Sequence, residues 1–160
     1  MYTPESLLEF HRRCHASFAK LLEHCDTLTN EELHRSLAGF GDATVHLQIH
    51  HVIAAERYWL GVLQGRIDVD EDQDAYPTVA LLQAFRRKIS DLTERYLDEV
   101  APDALTQPRD MITWGGKTRR LTPAHVIIRA QVHIYHHQGQ ILAMCRLLGK
   151  PATGFDYPVE

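Results

Sequence analysis

The sequence predicts an all-α chain folded as a four-helix bundle, with a small β-hairpin before the last helix. Three observations lead there. Four stretches of roughly 20 residues repeat apolar side chains at helical spacing. Most of them open on a capping residue, and several close near a glycine or proline. The connections are mostly short, and 160 residues suffice for one real core. Residues 1–160 therefore read as a single domain.

The first helix is marked by Thr3 as N-cap and Pro4 at the first helical position. Leu7, Phe10, Cys14, Phe18, Leu21 and Cys25 then recur on one face, carrying the helix to about Cys25. Thr29-Asn-Glu-Glu32 has the form of a capping box and opens a short helical turn. Asp42 is a candidate cap for the second long helix, which ends near Gly65. Residues 68–75 are acidic and read as a surface loop. Thr78 caps the third helix, which runs to about Val100, before Pro102. Ile112-Thr-Trp114, Gly115-Gly116 and Lys117-Thr-Arg-Arg-Leu121 form the hairpin pattern, turning at the glycine pair. The basic run in its second strand reads as solvated. Thr122-Pro123 opens the fourth helix, which continues to Leu148 and stops at Gly149. The tail, 153–160, reads as an ordered or semi-ordered extension.

Composition narrows the function classes. The formal net charge is −4 with histidines neutral, and Lys and Arg are dispersed. That excludes a basic nucleic-acid face. No stretch is apolar enough to span a bilayer. The N-terminus lacks the basic start and apolar run of a signal peptide, so a cytoplasmic protein is expected. Cys14, Cys25 and Cys145 are scattered and odd in number, the pattern of reduced core thiols.

Eleven histidines stand out. His133 and His137 are four apart, which stacks two imidazoles on one helical face and chelates a transition metal. Each residue turns a helix by about 100°. On the second helix, His46, His50 and Arg57 fall within roughly 40° of one another, on what reads as a solvent-facing polar arc. His51 turns away, beside Leu47, Ala55, Tyr58 and Val62, and is expected to meet the bundle interior. On the fourth helix, His133 and His137 lie on or beside the apolar arc, whereas His136 falls on a polar side. Buried imidazoles need partners, and a divalent metal supplies one. Three imidazoles suit Zn²⁺, Ni²⁺, Fe²⁺ or Mn²⁺ and leave a coordination position open. His11, His15, His24, His34 and His125 read as surface or boundary residues.

Three stretches resemble the DinB/YfiT-like superfamily of metal-dependent four-helix bundles, and the resemblance covers nearly the whole chain. They are His51-Val-Ile-Ala-Ala-Glu56-Arg-Tyr-Trp59-Leu60, His133-Ile-Tyr-His136-His137-Gln138-Gly139-Gln140, and Leu147-Leu148-Gly149-Lys-Pro151 followed by Asp156. The resemblance implies that His51, His133 and His137 are the metal ligands, the same three that the helical wheel turns inward. Two positions depart from the family pattern. Gln138 replaces the usual Arg, and Arg129 stands where many members carry another histidine; its cation is expected to face an acidic group.

The resemblance further implies an enzyme. Relatives include thiol S-transferases that use bacillithiol or mycothiol, and a mycothiol-dependent isomerase. The implied reaction joins a low-molecular-weight thiol, of bacillithiol type, to an electrophile at a metal, with Zn²⁺ first among the candidates. Glu56 is a candidate carboxylate for orienting a metal ligand, or a base, although its oblique position favours a surface salt bridge. Tyr58 is placed to border the substrate pocket, and Trp59 to pack. A metal-dependent hydrolase is the neighbouring alternative. A non-catalytic, stress-induced metal-binding protein is the alternative from another class. The family also implies a homodimer, for which Ile49, Ile53 and Leu60 offer an apolar flank. Neither nucleic acid nor membrane is expected as a partner.

Overall fold

In a computed structural model, which describes residues 2–67, 69 and 72–160, four long helices form the bundle. They are α1 (Pro4–Cys25), α3 (Val45–Leu63), α4 (Val79–Glu99) and α6 (Pro123–Leu147). Short helices α2 (Asn30–His34) and α5 (Pro102–Thr106) lie in the connections. The second of these was not expected from the polar sequence that follows Val100. Strands β1 (Arg109–Thr113) and β2 (Lys117–Leu121) pair antiparallel, with Met111 opposite Arg119. The hairpin turns through Trp114–Gly116, where Gly115 and Gly116 both have positive φ, 65° and 71°. Side chains larger than glycine rarely tolerate that backbone. Of the acidic loop, Asp68, Asp70 and Glu71 lie outside the described residues.

Local sequence explains where the helices begin. Thr3 accepts from the Ser6 amide while Ser6 answers the Thr3 amide, and Thr29 and Glu32 do the same for α2. Thr78 caps α4. The cap of α3 is Thr44, whose hydroxyl accepts from the Leu47 amide, and not Asp42. Asp42 sits two residues too early to reach an orphan amide of the first turn, and its carboxylate goes elsewhere.

Helix α3 packs on α6 and α4, and α1 packs on α4 and α6. The four long helices thus close a ring in the order α1, α4, α3, α6. Chain neighbours α1 and α3 share no comparable interface, nor do α4 and α6. The connections carrying α2 and α5 with the hairpin are the ones that cross the bundle ends. Crossovers of this kind need longer connections than adjacent helices do.

The core is two apolar clusters. One holds Phe18, Leu22, Ile49, Ile53, Phe85 and Ile141. The other holds Leu7, Tyr58, Val62, Leu97, Met111 and Ile127. Every long helix also buries polar residues, and His11, His15, Glu56, Ser90, Thr93 and Gln131 form one connected group. Ile49, Ile53 and Leu60, read as a dimer flank, are fully buried within the single chain. Ile49 and Ile53 belong to the first core cluster. All three cysteines are free and buried, as core thiols should be. No described helix is long and apolar enough to cross a membrane.

The tail crosses α1. Gln138 donates to the Phe155 carbonyl and, at 3.3 Å, to Ser17 Oγ. Arg13 donates to the Pro158 carbonyl at 3.1 Å. The residue that replaces the family's Arg therefore anchors the chain's own last segment.

Candidate metal centre

Helix α3 brings His51, and α6 brings His133 and His137, to one point at the α3–α6 interface. One ring nitrogen from each lies within 4.8 Å of the others. His51 Nε2 faces His133 Nε2 at 3.1 Å. Two imidazole nitrogens bound to one tetrahedral ion at 2.0–2.1 Å stand about 3.3 Å apart, so this pair is already near chelating distance. Among the described residues no fourth Cys, His, Asp or Glu ligand atom joins the group.

The centre sits at the rim of the bundle and not in its interior. The His51 side chain is 45% exposed, which corrects its expected burial. The turn that carries it away from His46 and His50 carries it toward the α3–α6 seam, where the bundle opens. His133 is half-buried and His137 is buried. Burial, and then the neighbouring imidazoles, depress both His133 and His137 to about 4. Arg129 adds to the effect at His133. Both are therefore neutral at neutral pH, the state that ligates.

Outer partners set the ring orientations. His137 Nδ1 donates to Gln48 Oε1 at 2.5 Å, which leaves Nε2 as the lone-pair nitrogen. Gln48 is wholly buried and is itself held, donating to the Asp42 carbonyl at 2.8 Å and to Gln140 Oε1 at 3.1 Å. The Asp42 carboxylate lies 3.7 Å from His51 Nδ1. Neither Gln48 nor Asp42 was identified as a site residue. Their signal is faint: Gln48 is a polar residue three positions before His51, and Asp42 resembles a cap. His136 is exposed and bonds Gln140 at 3.0 Å, outside the triad.

His51 and His133 line a cleft of about 550 Å³, whose wall also includes Tyr58, Trp59, Trp114, Arg119 and Arg129. Tyr58 stacks on Trp114, ring centroids 4.3 Å apart, and its hydroxyl accepts from the Trp114 amide at 2.9 Å. The hairpin is thereby fixed against α3. Tyr58 borders the pocket as expected. Trp59, expected to pack, is also part of the wall. Among the described residues Arg129 meets no carboxylate. Its guanidinium lies over the Trp59 ring at 5.2 Å, a cation–π contact.

Glu56 is elsewhere. It is not on the cleft wall and not an exposed ion pair, but a buried hub on the far side of α3. It accepts from His15 Nε2 at 2.8 Å, Thr93 Oγ1 at 2.8 Å and Gln131 Nε2 at 3.3 Å. His11 Nδ1 lies 3.5 Å from it. Burial alone would raise its carboxyl. The pull of His15, by charge and hydrogen bond, with His11 and Thr93, brings it down to about 2. His11 and His15, expected at the surface or boundary, are thus buried beside this carboxylate, and Arg86 supports His15 at 3.2 Å. His11, His15 and Glu56 also have metal-compatible spacing. His15 already answers the carboxylate, His11 Nε2 pairs with Ser90 Oγ at 3.0 Å, and none of the three lines the cleft.

His46 and His50 are the other correction. Both are buried rather than solvent-facing. His46 bonds the Tyr76 carbonyl at 2.9 Å, and His50 stacks on Phe85. The segment leading into α4, and α4 itself, cover this arc. A histidine ring tolerates such cover because its faces are apolar. His34 and His125 are exposed, as expected, and His24 is half-buried.

No curated protein matches this chain. The family model for the DinB family matches residues 1–160. The triad of the α3 and α6 histidines and the four-helix frame agree with that match, and the chain belongs to the DinB family.

Proposed function

We propose that the protein is a metal-dependent enzyme that activates a low-molecular-weight thiol for transfer to an electrophile, an S-transferase of the bacillithiol-using kind. One observation carries the reading. Three imidazoles converge without a fourth protein ligand among the described residues, and two of them, His51 and His133, line a cleft of about 550 Å³. A closed structural site would have four ligands and no cleft.

The donor set fits a borderline divalent ion, Zn²⁺ first, with Ni²⁺, Fe²⁺ and Mn²⁺ accommodated by the same imidazoles. His51, His133 and His137 would hold it. When bound, such an ion supplies Lewis acidity that favours the thiolate over the thiol. Gln48 keeps the His137 lone pair aimed, and Asp42 favours the His51 tautomer that presents Nε2. Tyr58, Trp59 and Trp114 give the electrophile an apolar wall. Glu56 has no part at the reacting atoms in this reading; it holds the frame.

The test is conjugation of a panel of small thiols to a model electrophile, comparing metal-loaded wild type with His137→Ala. Metal-dependent conjugation that His137→Ala abolishes is the expected result. Metal lost with conjugation unchanged would remove the site from the chemistry. Metal bound with no conjugation by any thiol would favour a sequestering protein.

A further inference from the structure

We infer that the cleft selects ligands bearing carboxylate groups, held by Arg119 and Arg129. The inference deepens the reading above, on which it rests for the role of the triad, by naming the chemistry of what enters.

Arg129 stands one helical turn before His133, so the two share a face of α6. Its guanidinium face is taken up by Trp59, at 5.2 Å. The N–H edges remain for a planar acceptor, the geometry in which Arg binds carboxylate in bidentate fashion. Arg119 reaches the cleft from the hairpin. Its register partner Met111 is buried, and cross-strand partners project to the same side of a sheet. Arg119 is thereby turned toward the bundle, while its neighbour Arg120 points the other way and approaches Asp110 at 3.8 Å.

Among the described residues, neither Arg119 nor Arg129 has a carboxylate partner. Asp42 is the one carboxylate among the described residues of the wall, and it lies beside His51. Among the described residues the wall thus carries two guanidinium groups, Arg119 and Arg129, and one carboxylate, already committed. The wall also carries Tyr58, Trp59 and Trp114, so an acidic head on a compact body fits best.

Trp59 and Trp114 are the two tryptophans of the chain, and both line the cleft. Intrinsic fluorescence therefore reports directly on it. The experiment titrates metal-free protein with succinate and with succinamide, its uncharged counterpart, at constant ionic strength. Expected is a saturable change with succinate, about tenfold weaker binding of succinamide, and about tenfold loss of succinate affinity in Arg119→Gln and in Arg129→Gln. Equal responses to the two probes, or none to either, would overturn the inference. So would unchanged succinate affinity in both variants. The titration contains neither metal nor thiol, so its failure and the failure of the conjugation reading are separate results.

Discussion

Gln48 shows how much of a metal centre lies in residues that never touch the metal. Its side chain is wholly buried and fixes the His137 ring through Nδ1. Outer partners of this kind typically contribute about 10–100-fold to metal affinity. Gln48→Ala is expected to lower affinity by about that factor in a competitive chelator titration while the fold is kept. Glu56 makes the contrasting case. Removing it strands His15, Thr93 and Gln131 as buried donors. Glu56→Ala is therefore expected to cost about 3–5 kcal/mol in denaturant unfolding, whereas metal affinity per folded molecule stays unchanged. The sequence carried the triad because spacing on one helix and a family motif both point to it. It did not carry Gln48, Asp42 or the burial of His11 and His15. Those depend on which helix faces which, and a single helical wheel contains no partner.

At the scale of elements, the helices were legible because their ends are written in local chemistry. Thr3-Pro4, Thr29 with Glu32, Thr78 and Gly149 act within a few residues of themselves. The one misplaced cap is informative. Thr44 and Asp42 both suit an N-cap, and only the observed backbone separates them. Thr44→Ala is expected to lower stability by about 1 kcal/mol. Asp42→Ala is expected to leave stability nearly unchanged and to weaken metal binding through His51. Equal destabilisation by both in thermal unfolding would contradict this division of labour. The error over His46 and His50 has a similar origin. A polar arc on a wheel was equated with solvent, although the segment before α4 covers it. The apolar flank of Ile49, Ile53 and Leu60 belongs to the chain's own core. A homodimer, if it forms, needs another surface.

At the scale of the whole molecule, the connected polar group in the core links stability to pH. Burial, and then the charge of His15, depress His11 from 6.5 to about 4. The unfolded chain therefore takes up its proton on His11 near pH 6.5, and the folded chain only near pH 4. Between those values unfolding absorbs protons, so stability falls as pH falls, by about 3 kcal/mol at most for this buried ring. Glu56 acts lower. Its carboxyl is held at about 2 against an ordinary 4.5, so the stability it contributes is present above pH 4.5 and is lost as pH falls toward 2. His133 and His137, depressed to the same value, add to this stage in metal-free protein, so its unfolding free energy should decline in two stages on acidification, and His11→Asn should remove part of the first. A flat profile from pH 6.5 to 4 would contradict the burial of His11.

The central claim is that His51, His133 and His137 together hold one divalent metal at an open cleft. Metal content of protein purified without a chelating tag tests it most directly, with wild type compared against each triad variant and against His136→Ala. About one divalent ion per chain is expected in wild type and in His136→Ala, and almost none in His51→Ala, His133→Ala or His137→Ala. Metal retained in the triad variants, or lost equally in His136→Ala, would contradict the account.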